Sequence, residues 1–594
     1  MKKGLRKTIS IIAISTMMFQ IAVPMMPGIG TNVLAVENLT SKAEIQTEQM
    51  AGDMQEQEEI KIAELVENTN NEETTGEISR DYEIKDEETW DISANGDGSV
   101  KAKWTLKDRT LTISGTGEIK DWDINSKEDW HNTQYTNLIE NIIIQEGITN
   151  IGKYAFDNCN NLKSVNLPEG VTSIKEQAFF RCNSLTNISI PQTVNYIGTQ
   201  AFSGCSNLTN ITIPEGVTSI EDSTFSGCSR LESIDIPSMV TNIGKEVFND
   251  CDNLESINVN SNNPSYYSEN GILFNKEKNK IIKYPMGKKN ITEYTIPNGV
   301  TQIEANAFEG CNNLKKIEIV EGITIIENET FKGCSNLENI IIPNSVTTIR
   351  FGAFENCSSL TEISIPENVT SLGSSLFSGC SSLKSITFPE SVTNIKTDLM
   401  FKDCSSLTNI EFPKGVTSIG INTFFNCSSL TNITIPEGVT SIESHAFTYC
   451  SSLTDLYIPE SVITIGFGAF QGCSSLTNIT IPEGITSIGD FTFSECSSLK
   501  SIELSKNITT IGNWALRNCS SLVNVTIPEK VTDIGTSAFE GCNSLKNITI
   551  PESVTDIGNY TIPSTAIIYA KADSYVHKYA EEKEQAYILD GEAK

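Results

Sequence analysis

The chain of 594 residues contains only three histidines, His131, His445 and His577, spread over segments hundreds of residues apart. That scarcity leaves no Ser-His-Asp or Cys-His arrangement to assemble, and no His-rich metal set. Basic residues are also few, 43 Lys and Arg against 75 Asp and Glu, a formal charge of −32. Binding phosphates needs clustered Lys and Arg, so nucleic acid is excluded as the expected partner. Long apolar runs are missing beyond Ile9 to Met26, where Ser15, Thr16, Gln20 and Pro24 interrupt the run. A retained membrane helix is not expected from it. With Lys2, Lys3, Arg6 and Lys7 before it and Val33-Leu34-Ala35 after it, residues 1–35 read as a secretory signal peptide.

Cysteine is the residue whose placement is most ordered. All sixteen fall on one lattice from Cys159 to Cys542, at steps of 23 residues except a 24-residue step from Cys380 to Cys404 and a 60-residue step from Cys251 to Cys311. A period of 23 is that of leucine-rich repeats, in which each unit buries its apolar face only by stacking on neighbours. With Cys as position 1 the unit reads C-S-S-L-T-N-I-T-I-P-E-G-V-T-S-I-G-x-x-A-F-x-G, as from Cys473. Position 4 is always Leu, and positions 7 and 9 are apolar around a polar position 8, which predicts one short strand per unit and hence a parallel sheet. Pro at position 10, in thirteen of sixteen units, ends that strand. Apolar positions 13, 16, 20 and 21 return the chain along the opposite wall. Three residues before each Cys stands Phe in fifteen of sixteen cases, with Leu516 the exception, which predicts an aromatic spine.

Stacked units place every thiol at the same inward position with its neighbours parallel to it, a poor geometry for a disulfide. Buried free thiols acting as small apolar spacers are expected. No zinc site follows from a linear ladder, and the pattern asks for no cofactor.

The unit resembles the BspA-like, or Treponema-type, class of bacterial leucine-rich repeats, over about residues 140 to 565. The resemblance implies a secreted or cell-surface protein that adheres to proteins or glycans of a host or neighbouring cell. It implies no catalysis.

The flanks differ in composition. Residues 36–89 hold seventeen acidic and four basic residues and read as a disordered acidic linker. Residues 90–145 carry four of the five tryptophans, Trp90, Trp104, Trp122 and Trp130, with hairpin character from Trp104 to Gly117, and are placed to cap the solenoid of residues 146–564. Residues 565–594 read as a closing strand from Thr565 to Ala570 and a helix from Asp573 to Tyr587 with Asp573 or Ser574 as N-cap. Inside the array, residues 259–296 read as a hairpin-type insertion carrying Lys276, Lys278, Lys280, Lys283, Lys288 and Lys289, a decorated repeat or a projecting dock. The run from Asp91 to Gly98 hints at a calcium loop, but Ala102 stands where a bidentate Glu is needed, so a polar turn is expected.

Positions 5 and 8 should point outward on a concave strand face, the surface solenoids offer to large partners. Tyr457 is the aromatic there, with Asp455 beside it and Thr434, Thr454, Thr480 and Glu411 around it. These six residues are the expected ligand-binding set. A structural role by self-association, without a specific ligand, is the alternative.

Overall fold

The computed structural model describes residues 85–123, 133–413 and 415–589. The signal-like segment, the acidic segment up to residue 84, Trp130 and His131 lie outside the described residues.

Each regular unit folds into one coil, and the coil holds two short strands rather than the one expected. In the Cys427 coil, Asn432–Thr434 pairs in parallel with Asn409–Glu411, with Ile410 opposite Ile433 and Glu411 opposite Thr434. Farther along the same coil, Ser441–Ile442 pairs in parallel with Ser418–Ile419 on one side and Thr464–Ile465 on the other. Two residues are too few for an alternating pattern to show, so the second ladder is silent in sequence. Its β-branched composition nevertheless suits it. Thr440 Oγ1 reinforces it by donating to the Thr417 carbonyl at 3.2 Å.

Between the two ladders lies the core. The rings three residues before each Cys stack face to face, Phe331 on Phe354 at 5.7 Å and Phe354 on Phe377 at 5.8 Å, both with planes 5° apart. All sixteen cysteines are buried and unpaired. They are more than spacers: Cys357 Sγ donates to the Phe331 carbonyl at 3.2 Å and Cys427 Sγ to the Phe401 carbonyl at 3.0 Å, each reaching the previous coil's spine residue. Burial pushes the thiols of Cys334, Cys380 and Cys473 up to about 12.

Two corners of each coil adopt left-handed backbone. The corner directly before the Cys is held by Gly472 (φ 71°), Asn426 (φ 60°) or Asp403 (φ 60°), the residue types that tolerate it. The other corner, five residues before the Cys, carries Gln177, Glu329, Leu399, Phe491 and Trp514 at φ of 53–56°. Its amide is engaged by the next coil, Phe491 N donating to the Asn513 carbonyl at 3.0 Å, and such bonds offset a conformational cost of about 1–2 kcal/mol.

The 60-residue step resolves into two coils. Cys251 to Gly287 forms one enlarged coil, and Lys288 to Gly310 is a regular 23-residue unit with Lys at the Cys position and Ile291 at the Leu position. Glu293–Thr295 of that unit pairs in parallel with Lys316–Glu318 in the first ladder. The insertion therefore ends before residue 288, not at 296. It contains an antiparallel pair, Tyr266–Glu269 with Ile272–Asn275, and Ile272–Asn275 turns back on Lys280–Lys283, which rejoins the second ladder beside Gln302–Ile303. Tyr284 takes the spine position and stacks on Phe308 at 5.2 Å.

At the N-terminal end, strands β1 (Glu87–Asp91), β2 (Val100–Thr105) and β3 (Thr110–Gly115) form an antiparallel meander, and β3 then pairs in parallel with the first coil strand β4 (Asn141–Ile144). Because β1 starts at Glu87, the acidic linker assigned to residue 89 runs a strand too far. Trp104 is fully buried, and Tyr135 meets Trp90 and Trp104 edge-on at 5.5 and 6.0 Å. At the other end Ile567–Ala570 pairs with Asn547–Thr549, followed by a helix, Tyr575–Glu582, capped by Ser574 Oγ accepting from His577 N at 3.1 Å. The helix stops five residues short of the expected Tyr587, which lies in a last strand, Tyr587–Leu589, beside Ile567–Ala570. Of the three tyrosines there, only Tyr579 is buried.

Removing a ring from the middle of the stack leaves a cavity that coils on both sides lock open, so Phe354→Ala is expected to cost about 3–5 kcal/mol in urea denaturation. Thiol labelling at pH 8 should find no reactive cysteine in the native protein and all sixteen after unfolding. Since burial raises the folded thiols of Cys334, Cys380 and Cys473 above their unfolded values, the contribution of these three is complete below pH about 8.5 and is lost as pH rises toward 12, each costing about 1.4 kcal/mol per pH unit. A thermal midpoint unchanged between pH 8 and 10 under reducing conditions would contradict this.

Candidate binding face

On the outward side of the first ladder, the six residues singled out from sequence come together on neighbouring coils, and all six are exposed. Glu411 lies opposite Thr434, and Asp455 bridges to Asn478, which sets Tyr457 in line between Thr434 and Thr480. Thr480 Oγ1 donates to Glu503 Oε2 at 3.2 Å. In the Tyr457 coil the ladder thins to that single bridge at Asp455, and the Tyr457 ring stands 64% exposed. Position 6 is outward as well as 5 and 8, so amides join the face: Ser501 Oγ donates to Asn478 Oδ1 at 2.8 Å. The position-8 column also contains Ile341, 43% exposed, and runs on to Tyr569 in the closing strand, opposite Thr549. The uninterrupted apolar run Ile340-Ile341-Ile342 was the sequence signal for the first of these; the cap gave none for the second.

Elsewhere the chemistry is structural. Asp91 Oδ1 accepts from Ser93 N and Ser93 Oγ at 3.0 and 2.6 Å and Oδ2 from Gly98 N at 3.1 Å, which makes the loop a polar turn and holds the carboxyl below its usual range. Among the described residues no three His, Cys, Asp or Glu side chains gather as a metal set. His445 Nδ1 meets Thr448 Oγ1 at 3.1 Å, and burial lowers the basicity of its ring. His577 lies in the terminal helix, at a different end of the array.

A second feature was not legible as a site. On the corners five or six residues before the Cys, His445, Phe467, Phe491 and Trp514 form a continuous row of rings across four coils, with centroids 5.1, 5.3 and 4.9 Å apart. These positions are variable in the unit, and only the occurrence of rings in consecutive coils could have marked them.

The profile of the BspA type leucine-rich repeat region, in six copies, matches residues 132–255, 279–400, 397–490 and 463–580. The chain belongs to the BspA-type leucine-rich repeat family. Among solved structures, this BspA-type chain is similar to a leucine-rich repeat protein from Eubacterium ventriosum, 31% identical over 65% of this chain and 95% of that one, with a TM-score of 0.50. It is also similar to a leucine rich cell surface protein from Faecalibacterium prausnitzii, 31% identical over 57% and 93% of the two chains at a TM-score of 0.39. The pneumococcal vaccine antigen PcpA is 18% identical over 83% and 97% at a TM-score of 0.42. No curated protein matches the chain.

The BspA-type match pauses between residues 255 and 279, where the enlarged coil departs from the repeat. The lysines of the insertion each find a partner within the protein. Lys278 lies 3.8 Å from the centre of the Tyr267 ring, Lys280 pairs with Glu304, and Lys289 pairs with Glu255 at 2.6 Å. Lys276 donates to the Asn263 carbonyl and Lys288 to the Asn270 carbonyl. Lys283 is buried, donating to Asn249 Oδ1 at 3.0 Å and the Asn306 carbonyl at 2.8 Å, and Asn249 Nδ2 passes the contact on to Glu309 at 2.7 Å. These charges stitch the hairpin to its coil, which is how a decorated repeat behaves. Burial makes Lys283 the sensitive member: Lys283→Ala should lower stability by about 3 kcal/mol by urea denaturation, since it leaves Asn249 Oδ1 and the Asn306 carbonyl without their donor, while Lys289→Ala leaves the midpoint in place.

Proposed function

We propose that this BspA-type protein works outside the cell as a non-enzymatic, adhesin-type binder, engaging a protein or glycan of a host or neighbouring cell on the strand face around Tyr457. The observation that carries the reading is the 64% exposed Tyr457 ring standing on a flat lattice of Thr, Asn and Asp side chains. An exposed aromatic amid small polar groups is the usual form of an interface anchor. Placement outside the cell rests on the signal-like residues 1–35. In the described residues no helix is long and apolar enough to cross a membrane.

Self-association is the second reading, favoured by Tyr587–Leu589, the outermost strand of its sheet among the described residues. Such an edge can accept another chain.

Immobilised matrix proteins and glycans, probed with the purified chain, give the test. Tyr457→Ala with Asp455→Ala should weaken whatever binding is found by about 2 kcal/mol or more, with the melting temperature unchanged. Light scattering that rises with concentration, together with ligand binding indifferent to the Tyr457 pair, would favour self-association instead.

A further inference from the structure

The row of rings on the corners of the coils lies apart from the strand face and needs its own account. Phe467 is 44% exposed and Tyr449, on the neighbouring corner, 42%. Phe491 and Trp514 are half-buried, stacked 4.9 Å apart with planes 19° from parallel. Phe425 meets Tyr449 edge-on at 5.8 Å. His445, Phe491 and Trp514 occupy left-handed backbone, φ 53–55°, at the corner where other coils use Asn306, Asn422 or Gly352, and Tyr449 (φ 60°) does so at the corner where others use Asn426 or Gly472. Bulky rings are the least suited residues for that conformation, and such outliers collect at functional surfaces. Contiguous exposed apolar area on a soluble surface has the same meaning.

Carboxylates outnumber cations around the rings, where Lys402 lies 5.8 Å from the centre of the Phe425 ring and Arg517, near Trp514, is paired with Glu540. From Gly415 to Leu499 the chain contains no Lys and no Arg, but it contains Glu437, Glu443, Asp455, Glu460, Glu483, Asp490 and Glu495. Glu443 precedes His445 by two residues, Asp490 adjoins Phe491, and burial together with the charge of Glu495 raises the Tyr449 hydroxyl's pKa. Rings with carboxylates beside them fit Lys and Arg side chains, whose stems pack on the rings while the heads reach the carboxylates. A second copy of this chain, itself at −32, is repelled. A sugar ring would need open aromatic faces, and Phe491 and Trp514 cover one face of each other.

We propose that the corner row His445–Phe467–Phe491–Trp514, with Tyr449 and the carboxylates Glu443, Asp490 and Glu495, is a second binding surface, and that it takes a basic polypeptide segment with Lys or Arg interleaved among apolar residues. It is independent of the Tyr457 face.

The test uses the full chain and a twelve-residue peptide of alternating Lys and Phe, read by Trp514 quenching and by calorimetry. The triple variant Phe467→Ser, Phe491→Asn, Trp514→Asn keeps the net charge and places Asn at corners where Asn already occurs, so the fold is retained; unreactive thiols in the variant check this. Calorimetry should show at least tenfold weaker peptide binding for the variant, and Glu443→Gln with Glu495→Gln should reduce the salt dependence of binding in the otherwise unaltered chain. Tyr457→Ala should have no effect on the peptide. Peptide binding unchanged in the triple variant would overturn the proposal, since charge alone would then explain it. So would a triple variant that loses binding of chitohexaose, or loses self-association seen by light scattering, in place of peptide binding.

Discussion

The contact between one spine ring and the next sets the terms for everything else in this protein. Phe331, Phe354 and Phe377 lie 5.7–5.8 Å apart with nearly parallel planes, while strands pair at about 4.8 Å, so the rings must offset slightly and every coil must keep the same rotation as its neighbours. The thiol of each Cys ties that ring's carbonyl from the following coil, closing the gap that an offset ring leaves. That carbonyl already accepts from the amide of its own coil's Cys, as Cys334 N donates to the Phe331 carbonyl at 3.2 Å, and the thiol engages its second lone pair. This explains why Cys, a small apolar residue with a weak donor, suits the position better than Ala.

With the core fixed in this way, the surface becomes a matter of columns. A side chain at position 8 of one coil stands beside position 8 of the next, as Glu411 beside Thr434, and corner residues align likewise, as Phe491 beside Trp514. A substitution at a variable position therefore joins a row instead of standing alone. Both candidate surfaces arose in this way on overlapping coils, mostly within the stretch from Gly415 to Leu499 that has no Lys or Arg.

What could be read from the residues follows the same division. The lattice, the spine, the buried thiols and the outward set around Tyr457 were legible because the constraint repeats in every coil. The second ladder was not, since two residues carry no period. The left-handed corner at Phe491 and Trp514 was hidden because hydrogen bonds to the next coil hold it, not a glycine. The extent of the insertion was misjudged because Lys288 and Ile291 replace the two residues that mark a unit, although the rest of that unit, from Ile296 to Phe308, keeps the pattern. In the closing cap, the helix expected from Asp573 to Tyr587 ends at Glu582, because Tyr587–Leu589 joins the sheet as a last strand.

The enlarged coil has a bearing on how the chain finds its register. The units that begin at Cys427 and Cys473 are nearly interchangeable, so an array made only of such units could slip by whole coils and keep most of its contacts. Lys283 bonds the Asn249 side chain in the coil before it and the Asn306 carbonyl in the coil after it, and two residues before a Cys no other coil carries an Asn. These contacts cannot be satisfied at any other offset. The hairpin thus works as a keyed joint, dividing a monotonous array into two runs that can be threaded in only one way.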